Sequence, residues 1–387
     1  IYQVLCGLAA LMLVALVMGT LFWPVARLEG RLPDKTVAGQ PVTGSITVTN
    51  RSWRPIYDLQ LVLAGLPSTV AEPTRHQTVG WIPGGESASA PITLVPARRG
   101  VYELPDLRAY TSFPFNLFLI GASRQPMGSL MVLPAFHRLA SIELPLSQRY
   151  QPGGIALTSH VGESPEYIGN REYVPGEPAR RLDFRSWARL GAPVVREFQE
   201  EYYCRIALVL DTYVPVQRRW WGWRGPDGTA WVGTNEKPIR ERTVPQLEAA
   251  ISLAAAVADV LSRGEHLIDL FAAGPELYVF RAGRHTAHLE NVLEILACID
   301  ACWTDPFQTV APALAEELGN ISAAVCVFLD WDASRSRLAQ AIVEAGCRLK
   351  IVIVRDGPTS EPLDAHEFGD CLELSVAQVR EGRIESL

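Results

Sequence analysis

Residues 1–26 carry no charged side chain, and an unbroken apolar run from Val4 to Met18 continues to Trp23. A helix needs about 20 apolar residues to cross a bilayer core, so this segment is long enough to span one. A cleaved signal peptide has an apolar core of roughly 7 to 15 residues behind a basic start, and the start here is uncharged. Tyr2 and Trp23 suit the aromatic belts of the two membrane interfaces. Arg27, Arg31 and Lys35 follow at once, with Glu29 and Asp34 interspersed, and the positive-inside tendency puts the bulk of the chain in the cytoplasm. Because the first residue is Ile rather than Met, a preceding segment such as the first helix of a hairpin is expected.

Beyond the span the chain reads as globular. The formal net charge is -7 and no polybasic block occurs, which sets nucleic-acid binding aside. The lysines are Lys35, Lys237 and Lys350, none after a glycine, so the Gly-Lys pair of a Walker A loop is absent. Seven cysteines, an odd number scattered through apolar segments, fit reduced thiols in a reducing compartment better than a disulfide framework.

From Val42 the pattern has period two, with Val42, Gly44, Ile46 and Val48 on one face and Thr43, Ser45, Thr47 and Thr49 on the other, as a half-buried strand requires. Similar runs at 59–63, 90–95, 101–104 and 130–133, separated by turn clusters such as Pro83-Gly84-Gly85, predict an antiparallel β-sandwich over residues 36–135. Residues 136–204 read as a linker with a charged segment. Beyond it, the apolar run 205–211 matches a strand covered on both faces. Helical spacing follows at Leu247, Ile251, Ala254, Ala258 and Leu261, ending before Gly264. Further strands at 267–271, 277–280, 324–329 and 349–354 and helices at 289–302 and 335–345 predict a doubly wound α/β domain over 205–387.

Ligands of such sheets sit beyond the carboxyl ends of the strands, where Asp211, Asp330 and Asp332 fall. Three carboxylates could gather around a hard cation. A von Willebrand factor A metal site opens Asp-x-Ser-x-Ser, however, and here Asp211-Thr212-Tyr213-Val214-Pro215 has neither serine, so the expected site is degenerate and no metal or cofactor is assigned. His285, His288, Cys298 and Cys302 are soft ligand types in a short span, the two cysteines one helical turn apart. Their spacing matches no zinc module, and small core residues are the favoured reading. His160, His266 and His366 lie apart from any nucleophile, and neither Gly-x-Ser-x-Gly nor His-Glu-x-x-His occurs.

Two further stretches stand out. Arginines alternate with carboxylates from Arg171 to Arg189 and on to Arg196-Glu197, a composition that can lock a segment by bidentate pairs or grip a partner. Residues 214–245 form a long insertion with Trp220, Trp221, Trp223 and Trp231 beside Arg218 and Arg219, the usual anchors of protein interfaces. Covering the insertion's own small core and lying on a membrane surface are the competing readings.

The string Arg171-Glu172-Tyr173-Val174-Pro175-Gly176, then Arg180, Asp183, Ser186, Ala188-Arg189 and Arg196-Glu197-Phe198, resembles the bacterial family called domain of unknown function 58. Ala38-Gly39-Gln40-Pro41-Val42, Arg98-Arg99-Gly100-Val101-Tyr102, the stretch from Ser112 to Phe118, and Asp211-Thr212 extend the resemblance over essentially the whole chain. Glu177 stands for the family's usual Asp and Phe184 for its usual Trp, and the Trp-rich insertion has no family counterpart that we recognise. The resemblance implies a von Willebrand factor A-like domain in a protein anchored to the bacterial inner membrane. It also implies a protein encoded beside a MoxR-type AAA+ ATPase and often beside transglutaminase-like or other von Willebrand-type proteins, and it carries over no catalytic residue.

The expected function is therefore a non-enzymatic, membrane-anchored scaffold or maturation adaptor. Arg171, Glu172, Tyr173, Arg180, Asp183, Arg189, Arg196 and Glu197 are expected to join sandwich and α/β domain. The competing readings are a metal-dependent adhesion module built on Asp211 with Asp330 or Asp332, and a hydrolase with an unrecognised site.

Overall fold

A computed structural model describes residues 1–73, 77–144, 167–174, 182–198, 205–214, 244–264, 266–273, 277–281, 288–363 and 368–387. The apolar N-terminal run is a helix, α1 (Tyr2–Leu21), long and apolar enough to cross a membrane. Its side chains are exposed along most of its length, and only Ala15 and Gly19, one turn apart, are buried.

Eleven strands come next: β1 (Ala26–Arg31), β2 (Lys35–Val37), β3 (Val42–Asn50), β4 (Ile56–Leu63), β5 (Val70–Ala71), β6 (Gln77–Ile82), β7 (Ser87–Pro96), β8 (Gly100–Glu103), β9 (Leu107–Thr111), β10 (Ile120–Gln125) and β11 (Ser129–Leu133). They make two four-stranded antiparallel sheets, ordered β1-β3-β7-β5 and β10-β9-β4-β6, and a small sheet β2-β11-β8. The alternation read at 42–49 holds, with Val42, Ile46 and Val48 buried. They share one core with Ile92 and Leu94 of β7, Leu59 and Leu61 of β4, and Leu130 and Val132 of β11.

The first strand begins at Ala26 rather than near residue 36. Arg27, Glu29 and Arg31 look like a charged flank in the sequence, but pairing of β1 with β3 turns Leu28 into the core and leaves the charges outside. Period-two geometry puts alternate residues on opposite faces, so one apolar residue among charges suffices for an edge strand.

The stretch expected as a linker is structured where it is described. Residues 134–144 lie along the second unit. Ser252 Oγ donates to the Ala135 carbonyl at 2.8 Å, Arg263 Nη2 to that of Leu139 at 2.6 Å, and the Ala140 and Glu143 amides to Glu385 and Leu387. Leu139 is buried in the core of that unit. Next, β12 (Tyr167–Glu172) pairs antiparallel with β13 (Val194–Phe198), and a short helix α2 (Phe184–Leu190) stands between them in sequence.

The remaining elements are β14 (Arg205–Leu210), α3 (Pro245–Arg263), β15 (Leu267–Ala273), β16 (Leu277–Phe280), α4 (His288–Cys298), α5 (Phe307–Glu317), β17 (Ala323–Phe328), α6 (Ala333–Glu344), β18 (Arg348–Val354), β19 (Asp370–Leu374) and α7 (Val376–Arg380). Six strands form one sheet in the order β16-β15-β14-β17-β18-β19, parallel except for β16. Alternate residues of each central strand enter different cores. Ile206, Leu208 and Leu210 pack with α3 and α4, while Ala207 and Val209 pack with α5 and α6. That double burial is why these strands read as continuous apolar runs. The helices α2, α5 and α7 and the strand β19 go beyond the elements expected from the sequence, and α5 carries Pro312 in its interior, a residue that disfavours helix.

Candidate functional site

Parallel pairing of β14 with β17 brings the loops after both strands together at their carboxyl ends. Asp211, which follows β14, is fully buried, and its carboxylate accepts the Tyr213 amide at 2.8 Å and the Leu329 amide at 2.9 Å. Its remaining partner is Arg335, from the first turn of α6, whose Nε and Nη2 reach Asp211 Oδ2 at 2.8 and 2.7 Å. The same guanidinium pairs with Asp332, which caps α6 by accepting the Ser334 and Arg335 amides at 3.0 Å. The rings of Phe307 and Tyr213 lie beside it, their centroids 5.1 and 5.6 Å from Arg335 Cζ.

A buried arginine in the first turn of a helix works against the helix dipole and against desolvation, and the two carboxylates, with the ring faces beside it, offset that cost. The third strand-end carboxylate is engaged separately. Asp330 accepts the Ser360 hydroxyl at 2.6 Å and the Ser360 amide at 2.9 Å, and it pairs with Arg355 at 2.5 Å.

The three aspartates that could have gathered around a hard cation are thus divided, two of them on an internal guanidinium. Among the described residues, no group of three or more His, Cys, Asp or Glu side chains could hold a metal ion. Burial pushes the Asp211 carboxyl up, opposed by Arg335 and the two amides. Burial works against the Arg335 charge as well, but Asp211 outweighs it and holds the guanidinium above its ordinary range. Arg335 is the residue that sequence reading missed. Its signal was Asp332-x-x-Arg335, a helix cap followed by a cation where the dipole disfavours one.

The soft-ligand span does not form a site either. α4 ends at Cys298, so Cys302 is not on the same helix as expected, and it donates instead to the Thr304 carbonyl at 3.0 Å. Burial, then Glu294 and Asp300, push the Cys298 thiol up, away from the reactive thiolate. His285 lies outside the described residues.

The described parts of the Arg-Glu segment are bonded to one another. Asp183 caps α2 through the Arg185 and Ser186 amides, accepts the Ser186 hydroxyl at 2.8 Å and Asn170 Nδ2 at 3.3 Å, and lies 3.5 Å from Arg196. Those bonds, Ser186 foremost, hold its carboxyl well below the usual range. Tyr173 and Asp183 are tied by backbone to Pro193 and Val194. Arg171 and Glu172 are on β12, Arg196 and Glu197 on β13, and Arg189 is exposed in the last turn of α2. Pro175, Gly176 and Arg180 lie outside the described residues, as do Trp220, Trp221, Trp223, Trp231, Arg218 and Arg219 of the insertion. Only the insertion's roots are described, Val214 bonded to the Cys302 carbonyl and Val244 capping α3.

Among the described residues, the β-sheet unit and the α/β unit are connected by the following side chains. Arg99 is buried, donates from Nε to the Leu296 carbonyl at 2.9 Å and from Nη2 to that of Ile299 at 2.6 Å, and pairs with Glu248 of α3. It thereby serves the orphan carbonyls at the end of α4. Arg98 also faces Glu248, at 3.6 Å, and Lys35 pairs with Glu290 at 2.6 Å and with Glu294. β8 and β11 lie against α4, and β2 is paired with β11, which brings these side chains within reach of the helix.

No protein-family model and no curated protein matches the chain. A solved CARDB domain from Pyrococcus furiosus aligns with 28% of this chain and 95% of its own length, at 11% identity and a TM-score of 0.20.

Proposed function

We propose that this chain is a membrane-anchored, non-enzymatic scaffold of the domain of unknown function 58 family. In this reading its α/β domain is von Willebrand factor A-like and doubly wound, its β-sheet unit is a sandwich, and it assists a MoxR-type AAA+ ATPase in assembling a client membrane complex. The observation that carries the reading is Arg335. The strand-end carboxylates, where such sheets take ligands, are neutralised from within by a guanidinium held on Asp211 and Asp332. A site closed in this way favours work through surfaces over metal-dependent adhesion or hydrolysis. The insertion at 214–245, rooted above that closed site, supplies Trp220, Trp221 and Trp223 as partner anchors. Affinity purification of the full chain from native membranes tests it. An AAA+ ATPase should co-purify, and changing the three tryptophans to Ser should release it from a folded protein. Recovery of the chain without any ATPase would overturn the reading.

A further inference from the structure

The end of the β-sheet unit that meets α1 carries an apolar rim. Phe22, just past the helix, stacks edge-on against Phe113 and Tyr57, with ring centroids 5.4 and 5.9 Å away. Arg54 Nη1 donates to the Leu21 carbonyl at 2.6 Å, and its guanidinium lies 4.8 Å from the Trp53 ring. Ile120 packs so closely on Gly19 that a Cβ there would collide with its side chain. The helix is therefore seated on the sheet unit along its last turn.

Around this seat the unit exposes large apolar side chains: Trp53 at 83%, Leu119 at 60%, and Trp23, Trp81, Phe115 and Leu117. Three separate pieces of chain supply them besides the helix exit. Trp53 is on the β3–β4 turn, Trp81 is the cross-strand partner of Tyr57, and Phe115, Leu117 and Leu119 lie in the loop from β9 to β10. Soluble surfaces avoid gathering large apolar side chains in one region. Twenty residues of α1 rise about 30 Å, the thickness of a bilayer core, so Gly19 lies roughly 3 Å inside the core's edge if the helix fills it. Ile120 touches Gly19, and Leu119 is its neighbour in the chain. Trp with a flanking Arg is the composition of the headgroup layer, and Phe and Leu that of the acyl boundary.

We infer that this rim dips into the membrane beside α1. Trp53, Trp81 and the 115–119 loop form a second, interfacial attachment that fixes the tilt of the soluble units over the bilayer. The inference rests on α1 spanning the membrane, and its occupant is lipid.

Spin labels on the full chain in phospholipid vesicles test it. The accessible native cysteines are replaced by serine, and Leu117→Cys, Leu119→Cys, Met12→Cys and Ser45→Cys are labelled one at a time. Collision rates with oxygen and with a water-soluble nickel chelate give depth. Labels at 117 and 119 should be oxygen-rich and nickel-poor like that at 12, while that at 45 reports water. Label 12 in lipid with 117 and 119 as wet as 45 would overturn the inference and leave the span intact. Label 12 in water would remove the span and the inference together.

Discussion

Arg335→Met removes the guanidinium and keeps much of the buried stem, so it isolates the charge that closes the strand-end site. Taking one partner from a buried ion pair costs about 3 to 5 kcal/mol, because the other is left uncompensated. Two features place this site at the lower end. Asp211 keeps the Leu329 and Tyr213 amides, and Asp332 is 30% exposed at its side chain, so water can replace the guanidinium there. The expectation is about 3 kcal/mol at neutral pH, or a melting temperature lower by roughly 6 to 12 °C for a domain of this size. The deficit should depend on pH. Without Arg335, burial raises the folded-state pKa of Asp211 further above its unfolded value. The penalty is then absent below the unfolded value and grows as pH rises toward the folded one, so acidification from pH 7 toward 4 should shrink it. Urea unfolding of the full chain in detergent, followed by circular dichroism, measures both. The double variant Arg335→Met, Asp211→Asn should recover much of the loss, giving a coupling energy on the order of 1 to 3 kcal/mol. An unchanged midpoint in Arg335→Met, or a deficit indifferent to pH, would show that the guanidinium does not hold the buried Asp211 charge.

Arg99→Ala should loosen the contact between the two units, since it strips the end of α4 of two donors and leaves Glu248 facing Arg98 alone. Faster hydrogen exchange at 288–302 with the central strands still protected is the expected result, and uniform exchange across the chain would contradict it. The Asp330 carboxyl is lowered: burial opposes the charge, but Ser360 and Arg355 outweigh it. It therefore adds stability above the ordinary carboxylate range that is lost as pH falls through its own lowered value, and Ser360→Ala should move acid unfolding to higher pH. Cysteines placed on the sheet-unit surface should resist a membrane-impermeant reagent in intact cells, since Arg27, Arg31 and Lys35 follow the span. Labelling without permeabilisation would reverse that orientation.

Much of the architecture was legible because its signals are local. The apolar run of α1, the alternation in β3 and the doubly buried strands β14, β17 and β18 each carry their periodicity within a few residues. β1 was hidden by its charges, α5 by Pro312, and the 134–144 strap by having no periodicity at all. Its backbone bonds go to Glu385 and Leu387, far along the chain. The strand-end aspartates were legible for the same local reason, being the residues after apolar strands. Their true partner was not, because Arg335 meets Asp211 across 124 positions and only the parallel pairing of β14 with β17 brings them together. Arg99 was likewise visible as a residue but not as a cap on a helix 197 positions away.

Arg335 closes the site where a sheet of this kind would take a metal. Calorimetric titration of magnesium and manganese into the full chain in detergent tests this most directly. No saturable heat is expected, because a cation would have to displace a guanidinium bound on two carboxylates and would keep mostly water as ligands. Saturable binding in the micromolar range, abolished by Asp211→Ala, would contradict it.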